Sequence, residues 1–415
     1  MKRFFGSLAA VSVAALLASC GSNGSGDGSD GADELTIGGI HAMTGDLGSY
    51  GPPMTRGMEL AAQAVNDEVA DIDGAMTVGI ETADSESKAE GAVAAARKVV
   101  GAGASCLIGP ITTPESVAVL NAVTKARKMT MVPEASAAAL REVDDAGTIT
   151  RIIPPDQLQG GALAQVVHDT LGGAEGKKVA FAFQNSSYGI GLEESFTKAW
   201  EELGGEVSLS VGYSATQPGF ESEAQQLTED DMDAIVVADY PETFGKLADA
   251  LLRTGKYDPN KLFVSDALNV SPIPDSISPE ALEGARGTQG GVVTDTPQAK
   301  AFDELATAEG ERGPFDAQVF DASMLCYLAA VAADSTDPGD ITAKVRDVAN
   351  APGKEYSYLD LPEAIKALQA GEDIDYAGAS GPIQIGEDGD TEIALYEQFR
   401  FIDGKLTVEN QITVE

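Results

Sequence analysis

The sequence predicts an α/β fold built as two doubly wound parallel-sheet lobes. Three observations carry that expectation. Short apolar runs alternate with amphipathic stretches almost without interruption from Glu34, the pattern restarts after Pro154-Pro155, and 415 residues exceed what one ordinary core organises. Apolar residues at 43% and abundant glycine suit a globular protein of this class.

In the first half, "ELTIGGI" reads as a strand, "MTRGMELAAQAVND" as an amphipathic helix and "MTVGIETAD" as a strand. "SKAEGAVAAARKVVG" is again helical, followed by strand "ASCLIGP", helix "PESVAVLNAVTKAR" and strand "MTMVP". After "ITRIIPPD" the units resume with helix "PDQLQGGALAQVVHDTLG", strand "KKVAFAF", helix "GIGLEESFTKAWEELG" and strand "EVSLSVGY". "GFESEAQQLTE", "MDAIVVA", "ETFGKLADALLRTG" and "KLFVSD" complete a second set large enough for its own core.

The first 20 residues, "MKRFFGSLAAVSVAALLASC", join a basic tip to an apolar stretch and small residues, the form of a secretory signal. Leu17-Ala18-Ser19-Cys20 resembles the lipobox of bacterial-type lipoproteins, which implies cleavage before Cys20 and a lipid anchor on its sulfur. Residues 21–33, rich in glycine, serine and acid, read as a flexible tether, placing the protein outside the cytoplasm on the cell membrane. Lys and Arg total 27 against 66 Asp and Glu, a formal charge of -39, which repels nucleic acid and anionic lipid and suits a solvated, salt-adapted surface. Cys106 lies in an apolar strand and Cys326 in an apolar helix; a disulfide and two separate buried thiols both remain open. No CxxC or histidine-rich spacing points to a metal, and no cofactor motif is complete.

In open α/β sheets, ligands bind beyond the carboxyl ends of the strands. Those ends read "HAMTGDLGSYG", "GPITTPES", "PEASAA", "QNSSYGIG", "ADYPETFG" and "SDALNVS". Each alone is a set of helix caps and turn formers. Together they offer small hydroxyls (Thr112, Thr113, Ser136) and helix N-termini for an anion, and Asp266 for an ammonium, with Glu134, Asp239 and Glu242 as further acids. That pairing suits a zwitterion.

With those loops in view, the chain resembles the substrate-binding lipoproteins of branched-chain amino acid ABC uptake systems, the leucine/isoleucine/valine-binding type. "GIHAMTGDLGSYGPPMTRGMELAAQAVN", "IGPITTPES", "MVPEASAA", "QNSSYGIGL", "DYPETFGKL", "FVSDALNVS", "FDAQVFDASMLCYLAAVA" and "IDYAGASGPIQIGEDGD" follow in the family's order over residues 35–405. The resemblance implies a periplasmic binding protein type I fold, its lobes joined by a three-stranded hinge. Lobe one would span residues 34–155 plus 290–393 and lobe two residues 156–289 plus 394–415. It also implies a monomer without cofactor that delivers an amino-acid-like ligand to ABC permease subunits. Carried over, Thr113 and Ser136 hold the ligand carboxylate and Asp266 pairs with its ammonium, with Thr112 and Ala135 also counted among the ligand-binding residues. Tyr188 and Tyr240 cover the head group, and Tyr50, Ile111 and Phe315 wall the side-chain pocket. Glu134 departs from the small residue usual there. Either it points away, or the ligand brings an extra donor or cation, such as an amide, urea-like or polar amino-acid ligand carries.

A hydrolase needs a nucleophile, a base and its orienting partner, whereas this chain has two histidines and no G-x-S-x-G elbow. A sensory receptor with the same clamp would carry a membrane helix or an output domain, so a delivery subunit is expected. Substituting Cys20→Ala is expected to move the protein from the membrane to the soluble fraction on cell fractionation; retention on the membrane would contradict the lipobox reading.

Overall fold

The computed structural model describes residues 34–414 apart from Ser271, Thr294, Glu309 and Glu311; the signal segment, Cys20 and the tether lie outside the described residues. Two large sheets organise the chain. The first contains β1 (Glu34–His41), β2 (Thr77–Asp84), β3 (Cys106–Ile108) and β4 (Met131–Val132), in the order β2-β1-β3-β4 and all parallel. The second contains β5 (Val179–Gln184), β6 (Val207–Tyr213), β7 (Ala234–Ala238), β8 (Leu262–Val264) and β9 (Arg286–Gly290). A small parallel pair, β10 (Lys354–Tyr356) and β11 (Ile374–Tyr376), lies apart from both.

Strands read as near-continuous apolar runs because helices cover both faces of each sheet. In β1 the five residues from Ile37 to His41 are all buried, and so is every residue of β7. One departure from a wholly parallel plan occurs at the C-terminal end. There β12 (Ala394–Ile402) pairs antiparallel with β9 and with β13 (Lys405–Val414). The cause is local: Asp403 (φ 52°) and Gly404 (φ 71°) form a two-residue turn, and an Asp-Gly pair with both residues left-handed closes a hairpin rather than a crossover.

The chain passes between the two sheets three times: after β4 into the helix Asp156–Leu171, after β9 into the helix Pro297–Ala308, and from Thr391 into β12. Two helices set the site beside the first sheet. The helix Asp316–Ala333 is buried through Val331 and packs on the helix Gly51–Val69. Their approach requires Gly57, because a Cβ there would overlap the Asp316 carbonyl oxygen. At Gly109 (φ +88°) a Cβ would overlap the Ile40 carbonyl oxygen, so glycine lets the chain turn sharply out of β3 toward Ile111.

A disulfide joins Cys106 of β3 to Cys326 of the buried helix, deciding between the two options left open by sequence. It links residues 220 apart and pins the helix that carries Phe315 at its start to the sheet. Disulfides that close long loops stabilise by roughly 2–4 kcal/mol. Replacing both cysteines with alanine is therefore expected to lower the melting temperature by several degrees in calorimetry. An unchanged midpoint would show that the bond adds nothing to stability.

Candidate functional site

The strand ends of the two sheets face one another across a small cavity lined by Leu47, Tyr50, Ile111, Glu134, Ser136, Tyr188, Tyr240, Asp266, Ala267 and Phe315. Each wall is set by a local rule. Tyr50 stands at the start of its helix, where Pro52 and Pro53 fit because their missing N–H groups lack helical partners anyway. Tyr188 sits in the first turn of the helix Ser187–Glu202, capped by the Ser186 hydroxyl, which accepts from the Gly189 N–H. Tyr240 precedes Pro241 at the start of the helix Pro241–Thr254.

Phe315 has a left-handed backbone (φ 62°), uncommon for a bulky residue. Arg312 holds it there by a two-pronged bond to Asp316, both contacts at 2.8 Å, while the Gly313 N–H donates to the same carboxylate at 3.0 Å. The result is a ring stacked on Tyr50, with centroids 6.2 Å apart. Tyr188 and Tyr240 stack likewise at 5.3 Å. Four rings thus enclose the cavity, two from each side. The Tyr50 hydroxyl crosses it and donates to the Ala267 carbonyl at 2.5 Å, so the structure is closed across the cleft.

The electrostatics are one-sided. Asp266 accepts from the Tyr188 hydroxyl at 2.6 Å, from the Ala267 N–H at 2.9 Å and from Gln159, yet burial still raises its pKa. Asp156, the first residue of its helix, is fully buried, with the Ser136 hydroxyl and the Arg151 charge as its polar neighbours. Burial and the neighbouring Asp266 push it up to about 8, partly opposed by Ser136 and Arg151. Glu134 is 3% exposed, its Oε2 has no partner, and burial raises its pKa well above the ordinary value. No lysine or arginine lines the cavity.

Arg151, wholly buried, is engaged elsewhere. It forks onto Asp390 at 2.8 and 2.6 Å and donates to the carbonyls of Ala135 and Ala137 at 3.1 and 3.0 Å. Asp390 also receives Arg141, and its backbone closes a tight turn with Gly386. The pair therefore ties two of the three crossings to the loop that carries Glu134 and Ser136.

Of the residues singled out by sequence, Tyr50, Ile111, Glu134, Ser136, Tyr188, Tyr240, Asp266 and Phe315 come together on this cavity. Thr112, Thr113, Ala135, Asp239 and Glu242 do not line it, Glu242 standing in the first turn of the helix Pro241–Thr254. Thr112 is a helix cap, its hydroxyl donating to Glu115 at 2.6 Å in a reciprocal capping box. Thr113 is buried beside it, and Ala135 gives its carbonyl to Arg151. Asp239 is buried away from the cavity under the Tyr213 hydroxyl, at 2.8 Å, and is pushed up to about 7 by that burial. His41, pushed down to about 4 by burial, bonds Thr55 at 2.9 Å, and His168 bonds exposed Asp169; neither lines the cavity. Sequence reading missed Asp156, which looks like an ordinary acid in a first helical turn, and Gln159, Leu47 and Ala267. Two acids beside one cleft are visible only when the helix is docked.

Two α/β halves meeting on a shared, enclosed, acid-lined cavity define a solute-binding cleft. The periplasmic binding protein family model matches residues 34–392, and the chain belongs to that family. The chain is 26% identical over 378 residues, 90% of its length and 93% of the relative's, to the Leu/Ile/Val-binding protein BraC3 of Rhizobium johnstonii. The branched-chain amino acid transporter substrate binding protein LivJ of Streptococcus pneumoniae, in complex with isoleucine, matches 92% of the chain and 99% of its own with TM-score 0.75 and 22% identity. A solute binding protein of an ABC transporter from R. palustris, in complex with 4-hydroxybenzoate, matches 92% and 97% with TM-score 0.68 and 20% identity. The fold is thus the type I periplasmic binding protein fold, and the family is one of substrate-binding proteins.

Because burial raises the folded-state pKa of Asp156 to about 8, above an unfolded value near 3.9, the fold favours its protonated form. Stability from this group is full below about pH 4 and is lost as pH rises toward 8. Asp156→Asn is expected to raise the melting temperature of the unliganded protein more at pH 8 than at pH 4. Equal shifts at both pH values would show that the carboxyl is not held neutral.

Proposed function

We propose that the chain is the extracytoplasmic solute-binding subunit of an ABC uptake transporter, capturing an amino acid between two lobes and handing it to a permease. Lobe one comprises residues 34–155 plus 290–393, and lobe two comprises residues 156–289 plus 394–415. The observation that carries the reading is a single cavity walled from both sides, with acids and rings contributed by strand ends of both sheets. The roles of BraC3 and LivJ in binding branched-chain amino acids support the amino-acid class, and the lipobox-like Leu17-Ala18-Ser19-Cys20 supports anchoring at the membrane.

The ligand ammonium sits between Asp266 and Asp156, with the rings of Tyr188 and Tyr240 against it. Two buried acids, one raising the pKa of the other, favour a cation between them, and the ligand supplies it. The carboxylate meets the Ser136 hydroxyl, which lines the cavity. Because the groups are fixed by caps, stacked rings and Arg151, little ordering is left to be done on binding. Entry requires the Tyr50–Ala267 bond across the cleft to open, and solute contacts with both lobes then favour closure, since only differential binding shifts such an equilibrium. No bond in the solute is made or broken.

Removing one partner of a buried charge pair costs about 2–5 kcal/mol. Asp266→Ala is therefore expected to weaken amino-acid binding by about 30-fold or more in titration calorimetry, at about 1.4 kcal/mol per tenfold. Unchanged affinity would reject this assignment.

A further inference from the structure

Glu134 is a buried carboxyl that the zwitterion reading leaves unused. It follows β4, on the side of the cavity opposite Asp266, which follows β8. Its N–H donates to the Pro110 carbonyl at 3.2 Å, which fixes it beside Ile111. It lines the cavity at 3% exposure with Oε2 unpartnered. A buried acid without a partner is costly, and it is retained only where something else satisfies it.

Among the described residues no lysine or arginine lines the cavity beside Glu134. Arg151, the buried guanidinium nearest in the chain, already donates to Asp390, Ala135 and Ala137. Nor do the acids gather around a metal: among the described residues no three acidic, histidine or cysteine side chains converge as ligands. Apolar walls from Leu47, Ile111 and Phe315 share the cavity with Glu134. An apolar stem ending in a charged tip matches that lining, with the methylenes on the side chains and the tip on the carboxylate.

We infer that the solute is a basic amino acid, whose side-chain ammonium or guanidinium is received by Glu134 while its α-ammonium is held by Asp266 and Asp156. This rests on the amino-acid reading above and narrows it away from branched-chain solutes. A leucine side chain would leave the Glu134 carboxyl dry and unpaired, and a site built around a polar group rejects analogues lacking it.

The test is titration calorimetry on the full chain in detergent, with L-lysine, L-ornithine, L-arginine and L-leucine as ligands for wild type, Glu134→Ala, Glu134→Gln and Asp266→Ala. Wild type should bind at least one basic amino acid about 100-fold more tightly than leucine. Glu134→Ala should lose most of that preference and gain leucine affinity. The isosteric Glu134→Gln, which keeps the volume of the site, should lose the preference even if the alanine variant folds poorly. Leucine bound by wild type as tightly as every basic amino acid, or a preference untouched by Glu134→Gln, overturns the inference. In that case Asp266→Ala still abolishing leucine binding leaves the amino-acid reading standing. Wild type binding none of the four overturns both.

Discussion

Everything in this structure is arranged around carboxyl groups held away from water. Asp266 and Glu134 line one small cavity whose described lining carries aromatic rings and no basic side chain, and Asp156 is buried close enough to Asp266 to feel its charge. Burial penalises their charged forms, which raises the pKa of each. The four rings deepen this effect. They exclude water, which strengthens each charge interaction inside, and present faces that attract cations. A binding protein achieves selectivity in this way without any moving chemical bond.

The scaffold that holds the carboxyls is itself ionic. Arg151 joins the first and third crossings through Asp390 and holds the loop of Ala135 to Ala137 by its carbonyls. A guanidinium suits this place because its donors lie in a fixed plane and its charge persists when buried. Its commitment has a second effect. With its donors occupied by Asp390 and two carbonyls, Arg151 offsets the charge of Asp156 only in part. The same residue thus fixes the loop and tempers the nearest buried acid. On the other flank, Arg312 and Asp316 do comparable work for Phe315, and the disulfide pins the helix behind them.

The fold was largely legible because period and length carry it. The apolar run of "AIVVA" is a buried parallel strand and "ETFGKLADALLRT" an amphipathic helix, as their patterns require. The site was legible in part because strand ends of a doubly wound sheet are always its binding edge. That rule gathers Tyr50, Glu134, Ser136, Tyr188, Tyr240 and Asp266 without knowledge of contacts. It does not separate a hydroxyl that faces a ligand from one that caps a helix, and Thr112 turns out to be a cap. Nor does it reach Asp156, which begins a helix rather than ending a strand.

Sequence alone therefore determined the order of strands and helices, the binding edge and the chemical vocabulary of its loops, since these depend on residues close together in the chain. Tertiary structure decided which acids are dry, which hydroxyls are already engaged, and that Cys106 meets Cys326 across 220 residues. Desolvation and pairing are properties of the space between distant segments, and that space exists only once both sheets and the helices between them have packed.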